Sequence, residues 1–293
     1  MTILVTGAAG QLGQRVIHHL LETYKIAPAD IVAATRSPDK LAELSAKGVV
    51  TRKADFDDAA NLAQAFAGVD RLLIISTDSL DTPGKRLAQH MAAIDAAKAA
   101  GVKHIFYTSM PNPDKSLVTF APDHLGTEAA IKASGLGYTI LRDAWYMDNF
   151  MMSLPHNLQG GKWYTATAGG KAPYISREDC ALAIAAALAS SNTDSTTYTL
   201  TGSTSYSITD IASTVSAITG RPLEVVDVTD EQLAGGMTGA GLPPFVVDML
   251  VSADANIRAG NFDQLTADFT TLTGKEPQTL RSFFEERKAA LAG

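Results

Sequence analysis

Three glycines stand at Gly7, Gly10 and Gly13, in the spacing G-x-x-G-x-x-G, directly after the apolar run Ile3-Leu4-Val5-Thr6. After the first of them, Leu12, Val16, Leu20 and Tyr24 recur at steps of four, the period of one helix face. A strand that turns through glycines into a helix offers free backbone N–H groups at the positive end of the helix dipole, which suits phosphate. Gly7 permits the tight turn, Gly10 keeps a Cβ away from the phosphates, and Gly13 lets the helix lie close on the sheet. Ala8, Ala9, Gln11 and Leu12 complete the loop. The same glycines could make a plain surface turn, but the strand before them and the helix after them favour a dinucleotide pyrophosphate.

Further polar groups fall at the ends of later apolar runs. Ile31–Thr35 reads as a second strand, and Arg36 follows it, with Ser37 next and Lys40 a helical turn on. A site for a free ribose 2′-hydroxyl carries Asp or Glu here, whereas a guanidinium pairs with a 2′-phosphate and stacks on adenine. Arg36 and Lys40 therefore point to NADPH. Asp55 and Phe56 follow the short run Val49–Ala54 and are placed to edge the adenine. Ser76, Thr77 and Asp78 follow Arg71–Ile75, and Thr108 and Ser109 end Val102–Ser109. In open α/β sheets this carboxyl edge is where ligands bind.

The elements that must hold these groups alternate. Helical patterns at Asp39–Lys47, Asp57–Phe66, Lys85–Ala100 (Leu87, Met91 and Ile94 inward) and Asp123–Ser134 separate the strands, and Tyr138–Arg142 makes a sixth strand. The repeat predicts an α/β, doubly wound parallel sheet, a Rossmann fold. Residues 1–150 read as the dinucleotide domain and 151–293 as a smaller substrate lobe with segments returning to the sheet. In that lobe Thr197–Thr201 and Leu223–Val228 read as strands, Ile208–Thr219 as a helix, and Gly235–Gly241 as a mobile loop. Cys180, the lone cysteine, lies in the apolar helical run Asp179–Leu188 and reads as a buried structural thiol. Glu178 and Asp179 read as bracing that helix's start.

The chain has 293 residues, 46% apolar and 19% charged, with net charge −7. That is globular, and it disfavours a general nucleic-acid or anionic-membrane surface. No apolar run has the length of a membrane span, and no signal peptide is evident at the first strand, so a cytoplasmic location is expected. The histidines have no metal-ligand spacing, so no metal is expected. His18, His19, His90 and His104 read as structural or solvated.

The segments Thr6–Gly13, Thr35-Arg36-Ser37-Pro38, Tyr107-Thr108-Ser109, Thr139–Arg142 and Trp145–Asn149 together resemble the NmrA-like, atypical branch of the short-chain dehydrogenase/reductase superfamily. Within it the chain is most similar to the type 2 NADPH:quinone oxidoreductases, with triphenylmethane reductases near. The resemblance implies NADPH as cofactor and direct hydride transfer to a quinone-like small molecule; it leaves open whether the chain forms a homo-oligomer.

Reductases of the wider superfamily carry Tyr-x-x-x-Lys as acid/base pair, and this chain departs from it. Tyr107 is followed four residues on by Pro111, and the expected place reads His124-Leu125-Gly126-Thr127-Glu128. Alcohol oxidation needs a base for the hydroxyl proton. A quinone accepts hydride without one, so positioning over the nicotinamide can supply most of the rate. His124 is the candidate acid or ribose contact, against a plain surface histidine at a helix start. Tyr146 is a second catalytic candidate. Asp143, Ala144, Trp145, Tyr146 and Phe150, with Thr77 and Asp78, are read as the wall beside the nicotinamide. Quinone reductases of this type often carry Asn where Asp143 stands. The alternatives are a dye (triphenylmethane or azo) reductase on the same frame and a non-enzymatic NADP(H) redox sensor, which the missing pair also fits.

Overall fold

The structure, a computed structural model, describes residues 1–291. Seven strands form the main sheet: Ile3–Val5 (β1), Ile31–Thr35 (β2), Val50–Lys53 (β3), Arg71–Ile74 (β4), His104–Ser109 (β5), Gly137–Asp143 (β6) and, after two short strands at Lys162–Thr165 (β7) and Lys171–Ala172 (β8), Thr196–Leu200 (β9). The order is β3-β2-β1-β4-β5-β6-β9, and every pair is parallel. The chain runs outward from β1 to β3 and then crosses back to β4, so the order reverses between β1 and β4. Such a reversal opens a crevice at the carboxyl edge. This is the expected Rossmann fold: β1, β4 and β5 are buried throughout and β2 in all but its last residue, because helices cover both faces.

One face is covered by Gln11–Glu22 (α1), with Leu12, Val16 and Leu20 buried. Tyr24 lies two residues beyond the end of α1, half-buried. The segment expected as one helix at 39–47 is a 3₁₀ turn, Pro38–Leu41, followed by Ala42–Ala46 (α2), because Pro38 fixes the entry. The opposite face carries Ala59–Ala65 (α3), Lys85–Ala99 (α4) and Ala121–Ala133 (α5).

The expected inward face of α4 is corrected. Met91 is 39% exposed and Leu87 half-buried; of the three, Ile94 is buried. The buried stripe is Arg86, Gln89, His90, Ala93 and Ala97. Alanines let the helix approach the sheet, and polar members of the same stripe bond to neighbouring elements, Arg86 to His124, Gln89 to Asp57 and His90 to Thr127, so a reading by hydrophobicity alone selects the wrong face.

The remaining helices are Leu154–Gly160 (α6), Arg177–Ala189 (α7), Ile208–Thr219 (α8), Asp230–Gly239 (α9), Pro244–Arg258 (α10), Asp268–Thr273 (α11), Leu280–Glu286 (α12) and Lys288–Leu291 (α13); Tyr206–Ser207 (β10) and Glu224–Asp227 (β11) are two more strands. α7 belongs to the first face. It packs on α1, and Asp179 through Leu188 are all buried, Cys180 among them. Ser176 caps its first turn through Asp179 N–H at 3.0 Å, and Asp179 also accepts Gln278 N–H. Glu178 reaches His19 Nε2 at 2.9 Å and pairs with Arg15, tying α7 to α1. Residues beyond 150 thus enter both the sheet and its helical cover.

A second core lies past the carboxyl edge, where α6, α8, α10, α12 and α13 enclose Phe150, Trp163, Tyr174, Phe283 and Phe284. The glycine segment at 235–241 is helical to Gly239 and turns only at its end. Thr229 and Gln232 form a capping box that starts α9 and outweighs the glycines it carries. No helix of the described residues is long and apolar enough to cross a membrane.

Candidate active site

At the reversal point Thr6 locks the two central strands together. Its hydroxyl donates to the Leu73 carbonyl at 2.9 Å and accepts Ile75 N–H at 3.0 Å. Gly7 follows at φ +61°, a left-handed conformation that favours glycine. Ala8 N–H then reaches the Ala34 carbonyl on β2, and Gly10 N–H returns to Gly7 at 2.8 Å. A Cβ on Gly13 would collide with the Gly7 carbonyl and lie 2.9 Å from Ala8 Cα. No side chain caps α1 and no acidic residue stands in its first turn, so its orphan N–H groups and dipole are left for an anion. The loop fits a pyrophosphate. Ala9 is half-buried, Gln11 exposed and Leu12 buried under the loop.

Arg36 and Lys40 are exposed and make no ion pair or side-chain hydrogen bond among the described residues. Two free cations beside β2 suit a phosphate on the adenosine ribose. Asp55 accepts Asp57 N–H at 3.1 Å, and Phe56 packs half-buried on the core, leaving both at the end of β3.

The ends of β4 and β5 are bonded to each other and to the interior. Thr108 Oγ1 accepts Ser76 N–H at 2.9 Å. Ser109 donates to Glu128 at 2.7 Å, and Glu128 takes Arg142 in a two-point pair at 2.9 and 2.7 Å. Burial alone would raise the Glu128 carboxyl, but the bonds from Arg142 and Ser109 hold it below its ordinary value. Asp78 is exposed. Thr77 N–H donates to His90 Nε2 at 3.0 Å. His90, expected as structural or solvated, is fully buried and props the residues after β4.

His124 is not a surface histidine. It is 3% exposed, with Nε2 3.0 Å from Arg86 and Nδ1 2.8 Å from the Tyr107 hydroxyl. Since arginine only donates, Nε2 accepts and the imidazole's one proton sits on Nδ1, directed to Tyr107. Burial and then the Arg86 charge press its pKa well below the ordinary value, so the ring stays neutral. His90, for the same reasons, is pushed down to about 3. Arg86 itself is 6% exposed and lies over Phe120 with its guanidinium carbon 4.9 Å from the ring centre.

On the glycine-loop side of the sheet, β6 ends in Asp143, and Ala144 N–H bonds to Leu200 on β9. Tyr146 donates its hydroxyl to Asp143 Oδ2 at 2.7 Å. Arg177 stacks on the Tyr146 ring at 4.9 Å, donates to Gln11 at 2.5 Å and pairs with Asp148 at 3.5 Å. A continuous chain of contacts thus joins the first residue of α1 to the end of β6. Burial raises the Asp143 carboxyl to about 7, with only the Tyr146 bond opposing it.

Bonds between Met147 N–H and Ile175, and between Ile175 N–H and Trp145, pin the aromatic run across the edge. Beyond it opens a cavity of about 710 Å³ lined by Trp145, Phe150, Trp163, Tyr174, Leu233 and Met237, with Asp254 as its one Asp, Glu, Lys or Arg. Of the expected wall, Trp145 and Phe150 line this cavity; Thr77, Asp78, Asp143, Ala144 and Tyr146 stand outside its lining.

Residues 1–265 match the NmrA-like family. The chain belongs to that family. It is 35% identical over 278 residues to quinone oxidoreductase 2 of Escherichia coli, covering 95% of this chain and 96% of that protein. An Escherichia coli NADPH-dependent quinone oxidoreductase solved with NADPH superposes with a TM-score of 0.93 at 34% identity, over 97% of this chain and 99% of the other. A Citrobacter triphenylmethane reductase complexed with NADP(H) gives 0.92 at 31% identity, over 98% and 100%.

Within this NmrA-like frame, sequence reading missed Arg86, Arg177, Glu128 and the cavity lining from α9 and α10. Arg86 left a trace, since it shares the α4 stripe with His90, Ala93 and Ala97 at steps of three and four. Arg177 left none: it meets Gln11 across 166 residues of chain.

Proposed function

We propose that this NmrA-like protein is an NADPH-dependent reductase that passes hydride directly to quinones or related conjugated electrophiles. The observation that carries the reading is the aromatic cavity opening at Trp145, next to a sheet edge that holds the glycine cradle and two free cations. The Gly7–Gly13 loop would hold the pyrophosphate, with Ala8, Ala9, Gln11 and Leu12 in its wall. Arg36 and Lys40 would hold the 2′-phosphate, Asp55 and Phe56 the adenine, and Ser76–Asp78, Thr108, Ser109 and Asp143–Trp145 the nicotinamide half. Bound there, the cofactor supplies hydride from its nicotinamide C4.

The protein's own part is positioning. Trp145, Phe150 and Trp163 offer flat apolar faces, and α9 closes the outer wall, so a planar substrate is dehydrated and stacked. His124 is assigned to support. Its only proton is engaged with Tyr107, and it fixes Tyr107 and Arg86 behind β5 rather than meeting substrate. Residues 151–293 supply most of the cavity and are taken as the substrate lobe.

The test is loss of NADPH absorbance with benzoquinone, compared with NADH and with a triarylmethane dye. Rapid turnover of the quinone supports the reading. Dye turnover alone would reassign the substrate class, and tight NADPH binding without turnover of any acceptor would favour a redox sensor.

A further inference from the structure

Asp143 closes β6 at the carboxyl edge and is 8% exposed. Its Oδ2 is satisfied by Tyr146, but its Oδ1 is buried with no hydrogen-bond partner among the described residues. A buried acceptor without a donor is costly, so this oxygen calls for a donor from a ligand or for a proton of its own. Among the described residues the ionisable groups facing it and its Tyr146 partner are Tyr146 on its own loop and Cys180 and Arg177 on α7, with Asp148 and Asp179 behind Cys180. The Arg177 charge is already shared among Asp148, Gln11 and the Tyr146 ring. Among the described residues no cation bonds the Asp143 carboxyl, and burial brings its titration to about 7, where it can change charge under ordinary conditions.

The contact chain Gln11–Arg177–Tyr146–Asp143 sets this carboxyl on the same side of the sheet as the glycine loop. A dinucleotide anchored on that loop runs across the strand ends, its adenosine half over β2 and β3 and its other half over β4 to β6. Resting on the reductase reading above, we propose that Asp143 is the proton donor of the site and that its charge follows the redox state of the bound nicotinamide. It is a neutral carboxyl beside the reduced, uncharged ring and a carboxylate beside the oxidised, positive ring.

An opposite charge at close range favours the ionised form, so oxidation of the ring itself drives the proton off. The balance closes for a quinone. Two electrons and one hydrogen arrive as hydride from the dinucleotide, the Asp143 O–H breaks as an O–H forms on the acceptor oxygen, and the carboxylate regains a proton from water after the oxidised dinucleotide leaves. This supplies the acid that the absent Tyr-x-x-x-Lys pair does not.

The test is calorimetric titration with NADPH and with NADP⁺ in two buffers of different ionisation enthalpy, from about pH 5.5 to about 8.5, bracketing the transition. For the native protein, affinity for NADP⁺ relative to NADPH should rise with pH, by up to about tenfold per unit, and NADP⁺ binding near neutrality should release more proton than NADPH binding does. Asp143→Asn should show a flat ratio and equal proton release with the two dinucleotides. Tyr146→Phe keeps the carboxyl but removes the bond that favours its ionised form, so the transition should move to higher pH; it carries the test should Asp143→Asn fail to fold. A native ratio independent of pH, with both dinucleotides bound, would overturn this inference and leave the reductase reading standing. Failure to bind either dinucleotide would overturn both.

Discussion

The proposed nucleotide cradle and the aromatic cavity are built by opposite means. The cradle is backbone: Gly7 to Gly13, the free turn of α1 and the strand ends, with every part close in sequence to a strand. The cavity is side chain, and its walls come from Trp145, Trp163, Tyr174, Leu233 and Asp254, spread over more than a hundred residues. Backbone recognition tolerates no added atoms. Side-chain recognition tolerates changes of shape and answers to stability first.

That contrast can be broken at Gly13. Gly13→Val drives carbon into the Gly7 carbonyl and Ala8, and should abolish NADPH binding in a fluorescence titration. If it binds NADPH normally, the cradle is not as close-packed as described. On the cavity side, Phe150 is 7% exposed and packed by the rings of Trp163, Tyr174 and Phe284. Phe150→Ala should cost about 3–5 kcal/mol in denaturant unfolding and raise the quinone KM, with NADPH affinity little changed. A parallel loss of NADPH affinity would erase the distinction between the regions.

Arg36→Glu should weaken NADPH by about tenfold to a hundredfold, the worth of a charge-assisted pair, and leave NADH nearly as before. Equal losses for both would remove Arg36 from the 2′-phosphate.

The last effect concerns two buried histidines of the sheet side, His90 on α4 and His104 on β5. His90 and His104 titrate at about 3 and about 4 when folded, against about 6.5 for an unfolded histidine. Between those values the unfolded chain binds more protons, so stability is full above about 6.5 and falls as pH drops, by at most about 1.4 kcal/mol per unit for each ring. Hydrogen exchange should show the sheet and α4 loosening in acid before the cavity core, whose nearby His156 is exposed. Uniform loosening would contradict this.

The sequence alone determined the sheet, the glycine loop and the placing of Arg36, because strand runs, turn glycines and strand-end residues are local and their chemistry can be read one after another. Family likeness added the reductase class. Only the tertiary structure decided the rest. The buried stripe of α4 carries Arg86, Gln89 and His90, bonded to His124 and Thr127 on α5 and to Asp57, so hydrophobic period misplaced it. The capping box made α9 a helix where its glycines suggest a loop. Arg177 and Gln11 are 166 residues apart, and Asp143 gained its unsatisfied oxygen and its raised titration from burial under α7, not from its neighbours in the chain. Burial and charge environment are sums over distant parts of the molecule, and a linear pattern does not contain them.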